Sequence, residues 1–208
     1  MRKKLFVSIQ FVMIAALPVL FGAQGAGAQT DDFGMRLSQA AIERTHHRVI
    51  YDASYVRLEY PGGDVAADKG VCADVVVRAL RTLDIDLQKL VHEDMVAAFS
   101  SYPQHWALSR PDRNIDHRRV PNLETFFTRK GVAQSISTDP ADYLPGDIVA
   151  WNLRGAEGGW LPHIGIVTDR MGSSGVSLVV HNIGAGPQLE GVLFDWKITG
   201  HYRYRGED

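Results

Sequence analysis

The spacing of apolar positions changes character partway along this 208-residue chain. From Met35 to about Val49, Leu37, Ala40, Ala41 and Arg44 fall at helical spacing and predict a first helix. Gly70 to Asp74 lead into a second, which turns Val75, Val76, Ala79, Leu80 and Leu83 to one face. Asp84-Ile85-Asp86 caps a third, from Leu87 to Phe99, with Leu90, Val91 and Met95 inward and Tyr102-Pro103 as its stop. The stretch 109–122 is irregular, broken by Pro111 and Pro121. Asn122 then caps a short helix carrying Leu123, Phe126 and Phe127, closed by Gly131. Beyond Asp139-Pro140 the period falls to two. Asp147–Trp151, His163–Val167 and Ser177–His181 read as strands, with Tyr202 to Arg205 closing the sheet. Helices first and strands second predict an α+β fold with N-terminal helices packed on a small antiparallel sheet.

The first 28 residues read as a processing signal rather than fold. Arg2, Lys3 and Lys4 form a basic head, Leu5 to Phe21 is mostly apolar, and Ala26-Gly27-Ala28 fits a cleavage site. The apolar run is short for a membrane span, and the absence of a cysteine near the cleavage site excludes a lipid anchor. The expectation is an exported, periplasmic protein with no membrane span after processing, starting at Gln29 with a polar, mobile stretch over 29–34. Residues 29–208 suit one domain acting as a monomer. Without its leader the chain keeps 19 of its 22 Lys and Arg against 24 Asp and Glu, a net charge of −5. That balance argues against nucleic acid as a partner.

Cys72 is the single cysteine, so it forms no intramolecular disulfide. At the start of a helix it feels the positive end of the helix dipole, which favours a thiolate. A thiolate nucleophile needs a base, and the base an orienting partner. Of eight histidines, His46, His47, His92, His105, His117 and His201 read as surface or structural. His163 opens a strand and His181 closes the next. A hairpin turning near Gly172 sets them almost opposite each other, and their shared parity puts both rings on one face. Trp151 and Trp160 flank His163 in sequence and read as core or groove walls.

Taken together, these residues resemble the NlpC/P60-type, papain-like cysteine peptidases in order and spacing: Cys72 opening a helix, then Pro145-Gly146-Asp147-Ile148-Val149-Ala150-Trp151, His163-Ile164-Gly165-Ile166-Val167 and Val180-His181. The resemblance is closer to the DUF1287 domain family of the same clan. It is carried by Gly70-Val71-Cys72-Ala73-Asp74, Asn114 to Asn122, Pro145-Gly146-Asp147-Ile148-Val149, His163-Ile164-Gly165-Ile166 and His181-Asn182-Ile183-Gly184. It implies a hydrolase of amide bonds in peptidoglycan stem peptides, with no cofactor. Cys72 is then the nucleophile, His163 the base and His181 the orienting residue, for which Asn182 is a rival. The Cys72 N–H would help hold the oxyanion. Where the wider clan opens its helix Asp-Cys-Ser-Gly, this chain has Val71-Cys72-Ala73-Asp74, which moves the polar neighbour to Asp74. With Asp74 and Asn182, the polar run Asp116, His117, Arg118 and Arg119 supplies candidate substrate contacts, Arg being suited to carboxylates.

Two other readings stay open. Cys72, His163 and His181, with Asp116-His117, could ligate zinc, although no short-spaced ligand pair is present. A non-catalytic cell-wall binding protein is the other, since fold does not fix function.

Overall fold

The computed structural model describes residues 26–155 and 157–206. The leader lies outside the described residues except for its last three. Those three belong to α1, Ala26–Arg44, so the stretch expected to be mobile over 29–34 is helical, with Phe33 buried. α2 is Cys72–Arg81, α3 is Leu87–Ala98 and α4 is Val120–Arg129. Asp86 caps α3 as expected, accepting from the Gln88 N–H at 3.0 Å. Asn122 does not cap α4. Pro121 starts that helix after Arg119, and Asn122 lies inside it, buried and donating to the Asp116 carbonyl. Proline is pre-organised for a first turn, so the helix begins three residues early.

The main sheet is β3 Ile148–Asn152, β4 Pro162–Met171, β5 Ser177–His181, β6 Gln188–Glu190 and β7 Lys197–Tyr202, in the antiparallel order β6-β5-β4-β3-β7. Sequence periodicity missed β6, which is three residues long, and placed the last strand too late. It also missed β1 (Ile50–Tyr51) and β2 (Lys69–Gly70), a two-residue parallel pair ahead of α2.

Side chains alternate across the sheet. Ile148, Ala150, Ile164, Ile166 and Val180 face the helices, packing with Val76, Leu80, Leu123 and Phe126. Val149, Trp151, Val167 and Val179 face a smaller core with Tyr143 and Leu193. Burial on both faces explains why β3 reads as a near-continuous apolar run. Ser38 joins α1 to β4, its hydroxyl donating to the Asp169 carboxylate and accepting the Asp169 N–H at 2.9 Å.

The Pro-Gly-Asp segment entering β3 is a tightly packed turn. Gly146 has φ +83, and a Cβ there would collide with the Gly34 backbone. Asp147 behind it is fully buried. It accepts from the Leu144 N–H, from Arg203 Nε and Nη2, and contacts His201 Nε2 at 2.7 Å, fastening β7 to β3. Burial alone would raise its pKa, but the His201 and Arg203 hydrogen bonds win and hold it below the ordinary carboxylate value. Stability from this lowered pKa is therefore present above the unfolded carboxyl's pKa, about 4, and lost as pH falls further. Asp147→Ala should destabilise by about 1–3 kcal/mol, since it leaves the buried His201 and the Leu144 N–H without their acceptor and the half-buried Arg203 without its partner. Asp147→Asn should lose part of the acid-side slope of stability against pH, followed by denaturant midpoints. An unchanged slope would contradict this account.

Candidate active site

Cys72 is the first residue of α2, and its position is set by Asp74. The Asp74 carboxylate folds back to accept the Val71 N–H at 2.6 Å, a capping interaction. It also accepts from Arg118 Nε and Nη2 at 2.8 and 2.9 Å. Arg118 in turn donates to the carbonyls of Asp52 and Ser54, just beyond β1. These contacts hold β1 against the start of α2, where the Tyr51 hydroxyl faces both the Cys72 thiol and its main-chain N–H. On the other side, the main-chain N–H of Ile164, the residue after His163, faces the sulfur. The sulfur thus sits between the helix start, the Tyr51 ring and the head of β4.

Only 5% of Cys72 is exposed, while Tyr51 beside it is 42% exposed. Burial is the largest influence on the thiol and pushes its pKa up to about 11, against the lowering by the Ile164 and Ala73 N–H groups. This corrects the expectation of a resting thiolate: desolvation outweighs the helix start.

His163 and His181 lie on the same sheet face, but not directly opposite. His181 pairs with Gly165, because an irregularity between Val167 and Met171 shifts the register by two residues and so preserves parity. Gly165 leaves room for the His181 ring: a Cβ there would lie 3.0 Å from that of His181. The rings meet edge to face, with His163 Nε2 and His181 Nδ1 2.8 Å apart. His181 Nε2 lies 2.8 Å from Glu190 Oε2 on β6. A carboxylate only accepts, so His181 carries its proton on Nε2 and presents a bare Nδ1. His163 must then donate from Nε2, which leaves its Nδ1 lone pair free. Burial, helped by His181, lowers the His163 pKa to about 3, and burial also lowers that of His181. Trp151 and Trp196 wall the two rings on the sheet face away from α2, so the structure brings His163 to His181 but forms no hydrogen bond between His163 and Cys72.

Glu190 and Tyr51 are the members of this arrangement that sequence reasoning missed. Both sit on two- or three-residue strands that leave no periodic signal.

Most of the polar run is buried and committed to internal contacts. Asp74 and Arg118 are buried and spent on each other. Asp116 is buried, accepting the Asp112 N–H and pairing with Arg119 at 2.8 Å. Arg119 also stacks on Trp106 at 3.9 Å. His117 is buried, its pKa lowered to about 4 by burial, with Nδ1 unpartnered. Asn182 is buried and accepts the Gly184 N–H, turning the chain after β5, while the ring that meets His163 is that of His181. Among the described residues, no group of three His, Cys, Asp or Glu side chains is disposed to hold a metal. No described helix is long and apolar enough to cross a membrane.

This α+β arrangement has a counterpart among solved structures. It matches a crystal structure of an N-acetylmuramoyl-L-alanine amidase from Bacteroides uniformis with a TM-score of 0.51 at 16% identity, over 82% of this chain and 97% of that one. A looser likeness, TM-score 0.43 at 15% identity, is to NlpC1 from Trichomonas vaginalis, covering 88% of this chain and 46% of that one. The chain belongs to the family described as "Domain of unknown function (DUF1287)", which matches residues 38–204. It is 54% identical over 170 residues to "Uncharacterized protein YijF" of Escherichia coli K12, spanning 82% of this chain and 81% of that one.

A ring held neutral by burial gives a clear titration. The His163 resonances should stay at their neutral positions from pH 8 down to about pH 5 in NMR spectra; protonation near the free-histidine value of about 6.5 would contradict the assignment. The sign for stability follows: this lowered pKa contributes above the unfolded histidine's pKa, and the contribution is lost as pH falls below it.

Proposed function

We propose that this protein is an exported, periplasmic cysteine hydrolase that cleaves amide bonds in peptidoglycan stem peptides through an acyl-enzyme on Cys72. The observation that carries the reading is the His163–His181–Glu190 chain. It leaves one imidazole nitrogen unprotonated and aims a carboxylate at the charge that a base acquires. Such a chain has little use in a protein that only binds. The fold shared with an amidase and membership of DUF1287 are consistent with hydrolysis.

In this mechanism both partners rest neutral. As the sulfur attacks the amide carbonyl, its proton passes to His163 Nδ1, a step for which the imidazole must swing toward the sulfur from the Trp151 and Trp196 face of the sheet, where it rests against His181. The new imidazolium is stabilised through Nε2–H by His181, and beyond it by Glu190. The oxyanion forms beside the Cys72 N–H and the Tyr51 hydroxyl, a kind of contact worth about 3 kcal/mol. His163 then protonates the leaving amine, the C–N bond breaks, and water activated by the same ring releases the acyl group. The uphill proton transfer from a buried thiol makes Glu190 and His181 more important, because they recover part of its cost.

The test is mass spectrometry of muropeptides from purified peptidoglycan treated with wild type and with Cys72→Ala. Wild type should release fragments with newly exposed amines and carboxyls, and Cys72→Ala should release none above background. Identical fragments from both proteins would overturn the thiol mechanism. His181→Ala should lower kcat by about 10²-fold or more, the usual scale for general acid–base assistance. Glu190→Gln should lower it less, because Glu190 is partly solvated. A His181→Ala variant with unchanged kcat would remove His181 from the mechanism.

A further inference from the structure

Trp160 ends the loop that leads into β4, three residues before His163, so the chain keeps the two backbones within about 10 Å. It is 48% exposed, an unusual position for so large an apolar ring. The ring is not loose. It packs on His105 with centroids 5.1 Å apart, and His105 packs on Trp106 at 5.7 Å. Below this aromatic wall is an open cleft of about 470 Å³, floored by α4 through Glu124, Thr125 and Thr128 and rimmed by Ser101.

The polar groups of the floor are arranged in one sense. The Thr125 and Thr128 hydroxyls donate to helix carbonyls at 2.9 and 2.8 Å, which leaves the Thr125 oxygen as an acceptor, that of Thr128 being shared with the Tyr202 hydroxyl. One Glu124 oxygen takes the Thr199 hydroxyl at 2.8 Å, and its other oxygen is an acceptor too. Arg129 on the cleft wall is already paired with Asp94. The cleft therefore offers an apolar aromatic face and a row of acceptors, with no unpaired cation. That combination suits a neutral ring with C–H groups on one face and hydroxyl donors around its edge, and it disfavours an anion.

We propose that this cleft is a saccharide subsite, and that it holds a sugar of the glycan strand while the attached stem peptide enters the Cys72–His163 centre. The inference rests on the hydrolase reading for the second half of that statement only; sugar binding by the cleft stands apart from it.

The experiment separates the two. In the Cys72→Ala background, calorimetry measures binding of a peptide-free tetrasaccharide of alternating N-acetylglucosamine and N-acetylmuramic acid. Binding should be detectable, weakened about tenfold or more by Trp160→Ala and largely restored by Trp160→Phe. With active enzyme, Trp160→Ala should lower kcat/KM about tenfold on glycan-attached stems and leave it unchanged on the sugar-free peptide. No tetrasaccharide binding, or binding indifferent to Trp160→Ala, overturns the subsite. Equal losses on both substrates overturn it as well. If wild type cuts neither substrate, the hydrolase reading falls while calorimetry still decides the subsite.

Discussion

The buried carboxylate of Asp74 is the contact on which the geometry of the site depends. It closes the first turn of α2 on the Val71 N–H and binds Arg118 through two hydrogen bonds. Arg118 carries the link to the carbonyls after β1. The start of the helix, the Cys72 side chain and the Tyr51 ring are therefore parts of one polar cluster rather than three independent placements. Breaking such a buried pair by removing one partner leaves an uncompensated charge, so the cluster is an all-or-none support. Gly70 reflects the same crowding: a Cβ there would lie 3.2 Å from the Asp74 carboxylate.

A second support fixes the other half of the site. Asp147, His201 and Arg203 lock β7 onto β3, and β3 carries β4 beside it in a register that places His163 opposite Trp151. His181 reaches His163 only because Gly165 lies across from it. The two halves meet where the Ile164 N–H faces the Cys72 sulfur. Desolvation then sets the chemistry. It favours the neutral form of both thiol and imidazole, so in the proposed mechanism the pair starts uncharged and develops its charges only during reaction. Glu190, on the partly solvated edge strand, contacts His181 and in that mechanism would stabilise them.

Much of this was legible in the sequence. The apolar stripe after Cys72 located α2, alternation located three strands of the sheet, and shared parity placed both imidazoles on one face although the register itself was off by two. What escaped has physical reasons. β1 and β6 are too short to show a period, which hid Tyr51 and Glu190. Asp74 and Arg118 read as candidate substrate contacts, because no local pattern distinguishes an accessible polar run from one whose partners lie 44 to 66 residues away. The thiol was misjudged for a similar reason: helix position is visible in sequence, and depth of burial is not.

The most direct measurement of the central claim, that His163 acts on the Cys72 sulfur, needs no substrate. It is the rate at which iodoacetamide alkylates Cys72 near neutral pH, followed by intact mass, in wild type and in His163→Ala with matched circular dichroism. The account predicts alkylation slowed about tenfold or more once the base is removed. Equal or faster alkylation of the variant would contradict it.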